Sequence, residues 1–278
     1  MKLSIITINY NDKEGLENTI KSVVSQTFRD FQYIVVDGGS TDGSVDVIDR
    51  YKNGLDIAIS EKDNGIYNAM NKGAKMASGE YLLFLNSGDS LIDNTVLEQA
   101  FKAMPESDIV SCQCLDYDDK HSYLKIPPKH ISLFTFTSSS LPHPSSFIKK
   151  ELFDRIGGYI EDYKVMSDWC FFVDALLIDR CSYSTLPITL SKFNCFGISS
   201  TNTSIESEQY PLFLKNRFGR IIDDYAPLED EAMCNCVFWI SKQKGLKKKI
   251  LKLPFAILNR LIGGRNATSR RIGVKRLS

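Results

Sequence analysis

Short apolar runs rich in β-branched residues alternate with stretches of helical periodicity through the first half of the chain, and this alternation constrains the fold more than any other feature. Leu3 to Ile8 is such a run, closed at once by Asn9-Tyr10-Asn11-Asp12. Leu16, Ile20, Val23 and Val24 then recur at helical spacing, and Tyr33 to Val36 is a second buried run, which makes a βαβ unit. Asp37-Gly38-Gly39-Ser40-Thr41-Asp42-Gly43 has the composition of a loop. A helix is expected over Ser44 to Tyr51, a strand over Ile57 to Ser60, a helix over Gly65 to Met76 and a strand over Tyr81 to Leu85. The pattern predicts an α/β fold with a mostly parallel central sheet covered by helices on both faces. Ligands of such sheets sit beyond the carboxyl ends of the strands. Three ends are polar here, Asn9 to Asp12, Asp37 to Asp42 and Asn86-Ser87-Gly88-Asp89, and they predict one site.

Farther along, Leu97 to Met104 reads as a helix, Asp108 to Cys114 as a strand and Asp116 to Lys129 as an exposed charged loop. Leu133 to His143, rich in Ser, Thr and Phe, suits a binding loop or a strand. Lys149 to Ile156 should be a short helix stopped by Gly157-Gly158, and Ser167 to Leu177 a helix with Ser167 as its N-cap. Beyond Ser191 the signal weakens. The expected organisation is one domain over 1–205, with halves 1–115 and 116–205, and a helical C-terminal extension over 206–278.

With 278 residues, 43% hydrophobic and 24% charged, the chain can bury a core and falls outside the disordered and fibrous classes. Its seven cysteines are odd in number, and the one-residue spacing of Cys112/Cys114 and Cys234/Cys236 is not that of a zinc ribbon, so reduced thiols are expected. Polar residues interrupt the N-terminal run too early for a signal peptide, and no uncharged apolar run reaches the length of a membrane span. A cytoplasmic protein is expected, with no nucleic-acid partner. The formal charge is zero, yet residues 242–278 hold twelve basic and no acidic residues, leaving the rest at minus 12. Leu246, Ile250, Leu253, Ile257 and Leu261 form an apolar stripe beside those lysines. Segment 244–276 would therefore lie on an anionic membrane surface or pack against the acidic body.

Four side chains are candidates for chemistry. Asp37 closes a strand and either meets a ligand or caps its own turn. Asp89 either holds a hard divalent cation or forms another such turn. Asp168, at a helix start among aromatic residues, is a general base or only a favourable helix charge. His143, between Pro142 and Pro144, contacts a diphosphate or acceptor, or is a satisfied loop histidine. A dehydrogenase or P-loop fingerprint is absent, and so is a nucleophile elbow.

Taken in order, Ser4 to Asn11, Val35 to Ser44, Asp63-Asn64-Gly65-Ile66-Tyr67-Asn68-Ala69-Met70-Asn71-Lys72-Gly73, Ala77 to Tyr81 and Leu85 to Asp89 resemble the family 2 inverting glycosyltransferases of the Rossmann-like nucleotide-diphospho-sugar transferase fold. His143-Pro144 and Met166-Ser167-Asp168-Trp169 resemble that family's acceptor region. The resemblance implies that Thr7, Asn9, Asp37 and Asp63 border the base and ribose of a nucleotide-sugar donor, with Asn71 and Lys72 near ribose or phosphate and Asn86 and Ser87 in the donor site. It implies Asp89 as ligand of a divalent metal, Mg or Mn, and Asp168 as catalytic base. The commoner Asp-x-Asp-Asp is here reduced by Asn86 and Gly88 to one carboxylate. The function implied is transfer from a UDP-hexose or UDP-N-acetylhexosamine to a glycan or lipid-linked acceptor in surface-polysaccharide synthesis. The alternative is a catalytically inactive nucleotide- or glycan-binding module. A nucleotidyltransferase would need a Gly-rich basic loop after the first strand, where only Lys13 and one glycine occur.

Overall fold

The structure is a computed structural model that describes residues 1–117, 121–195, 203–222 and 274–276. Residues 1–203 with 273–278 form one compact unit, and 204–272 a second.

The first unit is built on strand β1 (Leu3–Asn9), whose seven residues are all buried. Parallel to it lie β2 (Phe31–Asp37) on one side and β4 (Tyr81–Phe84) on the other, with β3 (Ile57–Ser60) beyond β2. Each crossover carries a helix, as parallel pairing requires. Helix α1 (Lys13–Val24) buries Leu16, Ile20 and Val23 and is capped by Asp12, whose carboxylate accepts from the Gly15 amide at 3.0 Å. Helix α2 (Ser44–Tyr51) begins where Asp42 accepts from the amide and hydroxyl of Ser44. Helix α3 (Ile66–Met76) buries Tyr67, Ala69, Met70, Asn71, Gly73 and Ala74.

The α/β class expected from the alternation is borne out, while the other half of the sheet is mixed rather than parallel. After β5 (Ser90–Leu91) and α4 (Val96–Ala103), strand β6 (Ile109–Tyr117) turns back as a hairpin into β7 (Ser122–Lys125), so the segment expected as a charged loop is paired. Its outer residues are only half-buried, which is why their polarity reads as loop. Strand β8 (Ser146–Lys149) is antiparallel to both β4 and β6. Strand β9 (Tyr183–Asn194) runs parallel to β6 and antiparallel to β5. Its pairing slips between Ser111 and Gln113, opposite the stretch holding Pro187, because proline cannot donate to a ladder and is tolerated at such an irregularity. A further strand, β10 (Val274–Arg276), pairs with β7, so this end of the chain is extended rather than helical.

Leu133 to His143 is helical in part: α5 (Leu133–Ser138) starts with the Ser132 amide donating to Thr135 Oγ1 at 3.1 Å, and a 3-10 turn covers His143–Ser145. Helix α6 (Lys150–Ile156) ends at Gly157 and Gly158, both with positive φ. A Cβ on Gly158 would lie 2.8 Å from Asn71 Oδ1, so glycine is required both by the backbone and by the neighbour. Helix α7 (Ser167–Val173) is capped not by Ser167 but by Met166, a non-glycine residue at φ +80°. Ser167 is the first helical residue, and its hydroxyl is buried without a partner.

Within the second unit, α8 (Thr203–Phe218) buries Phe213 and Leu214 and carries Pro211 in its interior. The apolar stripe from Leu246 to Leu261 lies outside the described residues. Among the described residues no helix is long and apolar enough to cross a membrane.

Candidate active site

The register of the parallel strands puts Asn9 opposite Asp37 and Asp37 opposite Ser60, a row of three polar side chains along the carboxyl edge of the sheet. Asp37 has no exposed surface. Its Oδ1 accepts from Asn9 Nδ2 at 2.7 Å and Ser40 Oγ at 2.5 Å, and its Oδ2 from the Gly39 and Ser40 amides and from Ser60 Oγ at 2.6 Å. Burial pushes the carboxyl up, but the hydrogen bonds from Ser40, Ser60 and Asn9 outweigh it and hold the group below its ordinary value. Asp37 therefore organises the loop that follows it. Asn9 keeps one acceptor unused: its Nδ2 is engaged while its Oδ1 is buried without a partner. Thr7 is wholly buried, its hydroxyl donating to the Leu85 carbonyl and meeting the Tyr33 hydroxyl.

Asp63 lies over Gly38, where a Cβ would stand 2.6 Å from Asp63 Oδ2 and 3.2 Å from the Tyr10 ring. Tyr10 is 67% exposed, so this strand end presents a bare aromatic face beside a carboxylate. Lys72 is paired with Glu61 at 2.8 Å. Asn71 is a bracket: it donates to the Tyr159 carbonyl and to Glu161, and accepts from the Tyr159 amide. Neither Asn71 nor Lys72 has its polar atoms idle.

The third polar strand end is a tight turn in which the Asp89 amide donates to the Asn86 carbonyl and the Ser87 amide to the Ile8 carbonyl. Thr19 Oγ1 donates to the Asp89 carbonyl at 2.6 Å and fastens the turn to α1. The Asp89 side chain is 5% exposed, and burial, with Asp116 adding to it, pushes its carboxyl up to about 8 against the opposing amides of Asn194 and Asn86. Among the described residues no cation offsets its charge. Asn86 Oδ1, in the same turn, is a second hard oxygen, buried without a partner. Among the described residues no three His, Cys, Asp or Glu side chains converge. The donor set thus fits a hard divalent cation whose remaining ligands come from phosphate and water, not an all-protein cage. A groove of about 630 Å³ opens alongside, lined in part by Asp12, Gly88, Lys192 and Asn194.

Asp168 stands in the first turn of α7, half-buried, and its Oδ1 accepts from the Tyr67 hydroxyl at 2.9 Å. Among the described residues nothing donates to its Oδ2. His143 Nε2 and the Tyr159 hydroxyl are 2.8 Å apart. Burial pushes His143 down, with the charge of Asp168 opposing, and pushes the phenols of Tyr67 and Tyr159 well up, with Asp168 reinforcing. Asp168 is therefore the negative centre of an aromatic chamber in which Phe84 stacks on His143 at 5.5 Å and Phe153 meets Tyr159 at 4.9 Å. Trp169 Nε1 donates to the Phe136 carbonyl and ties α7 to α5.

Glu161, the nearest rival carboxylate, has both oxygens engaged, by Asn71 and Asn68. Those two bonds, Asn71 first, hold it below its ordinary value. Sequence reasoning missed Tyr10, Ser60, Tyr67 and Tyr159 as site residues. Tyr10 and Tyr67 do stand inside the motifs, but an aromatic there reads equally well as core.

Residues 4–171 match the family model described as glycosyl transferase family 2. This chain belongs to that family. The match takes in both the strand-end row and Asp168. An uncharacterized glycosyltransferase of Mycobacterium tuberculosis is 34% identical over 206 residues, covering 71% of this chain and 77% of that protein. Among solved structures, S. aureus TarS residues 1–349 in complex with UDP-GlcNAc matches with a TM-score of 0.63 at 21% identity, over 77% of this chain and 65% of that one. The mannosyltransferase PcManGT of Pyrobaculum calidifontis, in complex with GDP-Man and Mn2+, matches with a TM-score of 0.57 at 18% identity, over 98% of this chain and 84% of that one. At these identities the two structures establish the shared fold.

Proposed function

We propose that this glycosyltransferase inverts: it moves a hexosyl or N-acetylhexosaminyl group from a UDP-sugar to a hydroxyl of a glycan or lipid-linked acceptor in surface-polysaccharide synthesis. One observation carries the reading. The Asp168 carboxylate, in the first turn of α7, has one oxygen held by Tyr67, and among the described residues nothing donates to the other. A carboxylate so held can take the proton from an acceptor hydroxyl as that oxygen attacks the anomeric carbon from the face opposite the leaving group. A single displacement needs no enzyme nucleophile, and no nucleophile–base pair of the elbow type stands in the sequence.

On the donor side, Asn9 Oδ1 receives a base N–H or ribose hydroxyl, Tyr10 stacks on the base and Asp63 accepts from the ribose. Asp37 and Thr7 support them from within the sheet, and Asn71 and Lys72 fix α3 below the phosphates. Asn86 and Ser87 shape the turn, and a Mg or Mn ion held by Asp89 with Asn86 would supply positive charge to the diphosphate. The UDP-GlcNAc complex of TarS and the Mn2+ complex of the mannosyltransferase, on the same fold, support a nucleotide-sugar donor and a metal.

The discriminating experiment is to incubate the protein with UDP-sugars, Mg or Mn and an acceptor panel, and to read the product's anomeric configuration by NMR. Inversion supports the reading; retention, or binding with no turnover of any donor, contradicts it. The basic part of segment 244–276 that precedes β10 supports attachment to an anionic membrane face on the cytoplasmic side, Lys275 and Arg276 being held in the sheet. Failure of the full chain to co-sediment with phosphatidylglycerol vesicles at low salt would refute that part alone.

A further inference from the structure

We propose that Tyr67 is a positioning residue that holds Asp168 for proton abstraction; this deepens the reading of Asp168 as base and rests on it. Tyr67 is 6% exposed in the first turn of α3, and its hydroxyl is the donor that reaches the Asp168 carboxylate, at 2.9 Å on Oδ1. The other polar groups that feel the charge of Asp168 are His143 and Tyr159, and these bond to each other instead. The cap of α7 is Met166 in a left-handed conformation with no side-chain bond to the first turn, so no capping side chain reaches Asp168, whereas the Ser167 and Asp168 amides also bear on the Tyr67 hydroxyl. Among the described residues the side-chain hydrogen bond that orients Asp168 comes from α3, outside α7. A bond on Oδ1 restrains the carboxylate and would leave Oδ2 for the acceptor. Burial and the Asp168 charge both keep the phenol protonated, so it remains a donor throughout the working range.

The same helix links this restraint to the donor side. Helix α3 starts at Gly65, two residues after Asp63, and Asn68 and Asn71 clamp Glu161 and the Tyr159 backbone. Tyr67, Asn68 and Asn71 thus lie along one helix that spans from the donor loop to the base. A displaced helix start would move the base.

A double-mutant cycle tests the proposal. Tyr67→Phe keeps the ring, which packs against Tyr159 at a centroid distance of 5.5 Å, and removes only the hydroxyl. It should lower kcat roughly tenfold, as misorientation of a reacting group does, with the donor KM within twofold. Added to Asp168→Asn, it should lower kcat no further. Loss by the same factor in both backgrounds, or a lowered Tm with normal kcat, overturns the positioning role. Tyr67→Met, apolar and without a hydroxyl, decides the matter by the same criteria if the phenylalanine variant fails to fold. If Asp168→Asn itself retains turnover, the base reading fails and the proposal with it. If Asp168→Asn is inactive while Tyr67→Phe turns over normally, the base reading stands and only the proposal fails.

Discussion

The donor edge and the acceptor chamber are built in opposite ways. Along the donor edge, Asn9, Asp37 and Ser60 come from three parallel strands in register, and their polar atoms largely satisfy one another before any ligand arrives. Around Asp168, Tyr67, His143 and Tyr159 come from separate segments, aromatic rings pack close by, and among the described residues one carboxylate oxygen receives no hydrogen bond. The first arrangement suits a rigid cradle whose hydrogen bonds cost no reorganisation. The second suits a half-buried reactive group among aromatic rings, where one charge dominates the local electrostatics. On the proposed roles, this chain holds the donor with a bonded polar row and takes the proton on a carboxylate with fewer polar neighbours.

Substitutions on the two sides should fail differently. The largest effect is expected at the junction: Asp89→Ala should abolish metal-dependent turnover and weaken donor affinity without unfolding the protein. Turnover that survives in the variant, or in wild type with EDTA, breaks the assignment of Asp89.

A stability effect should mark the donor edge. Asp37→Ala strands the buried donors of Asn9, Ser40 and Ser60 and should lower the unfolding free energy by about 3 kcal/mol in urea titrations. Because the folded carboxyl is held below its ordinary 3.8, the stabilisation from its ionised form is complete above that pH and fades as pH falls through the lower folded value. The gap between wild type and Asp37→Asn should therefore shrink in acid. A gap that widens below pH 4 means the carboxylate is not what the loop holds.

The smallest effect concerns the clamp. Glu161 is exposed and accepts from Asn68 and Asn71, so Glu161→Gln should cost under about 1 kcal/mol and leave the donor KM unchanged. A large loss of donor affinity would make the α3 bracket part of the cradle and blur the division between the two sides.

The sequence was informative to the extent that structure is local. The boundaries of the third strand and second helix, and the turn set by Asp37, follow from adjacent residues whose composition specifies them. Strand β9 was illegible because its partner β6 is remote in sequence and its own Pro187 reads as a break, which the slipped pairing accommodates. Ser167 has the residue type of a cap, whereas the chain turns at Met166. The Tyr67–Asp168 bond spans 101 residues, and nothing near either residue announces the other. Helical aromatics look like core until the fold brings a carboxylate to them.

Proton acceptance by Asp168 underlies the proposed transfer, and the most direct test pairs two substitutions in one assay with a competent acceptor. Asp168→Asn should lower kcat by roughly 10²–10⁴, the usual scale of general-base loss, with UDP-sugar affinity barely changed, while Glu161→Gln stays within a few-fold of wild type. Near-normal turnover in Asp168→Asn together with an inactive Glu161→Gln would contradict it and move the base to the clamp.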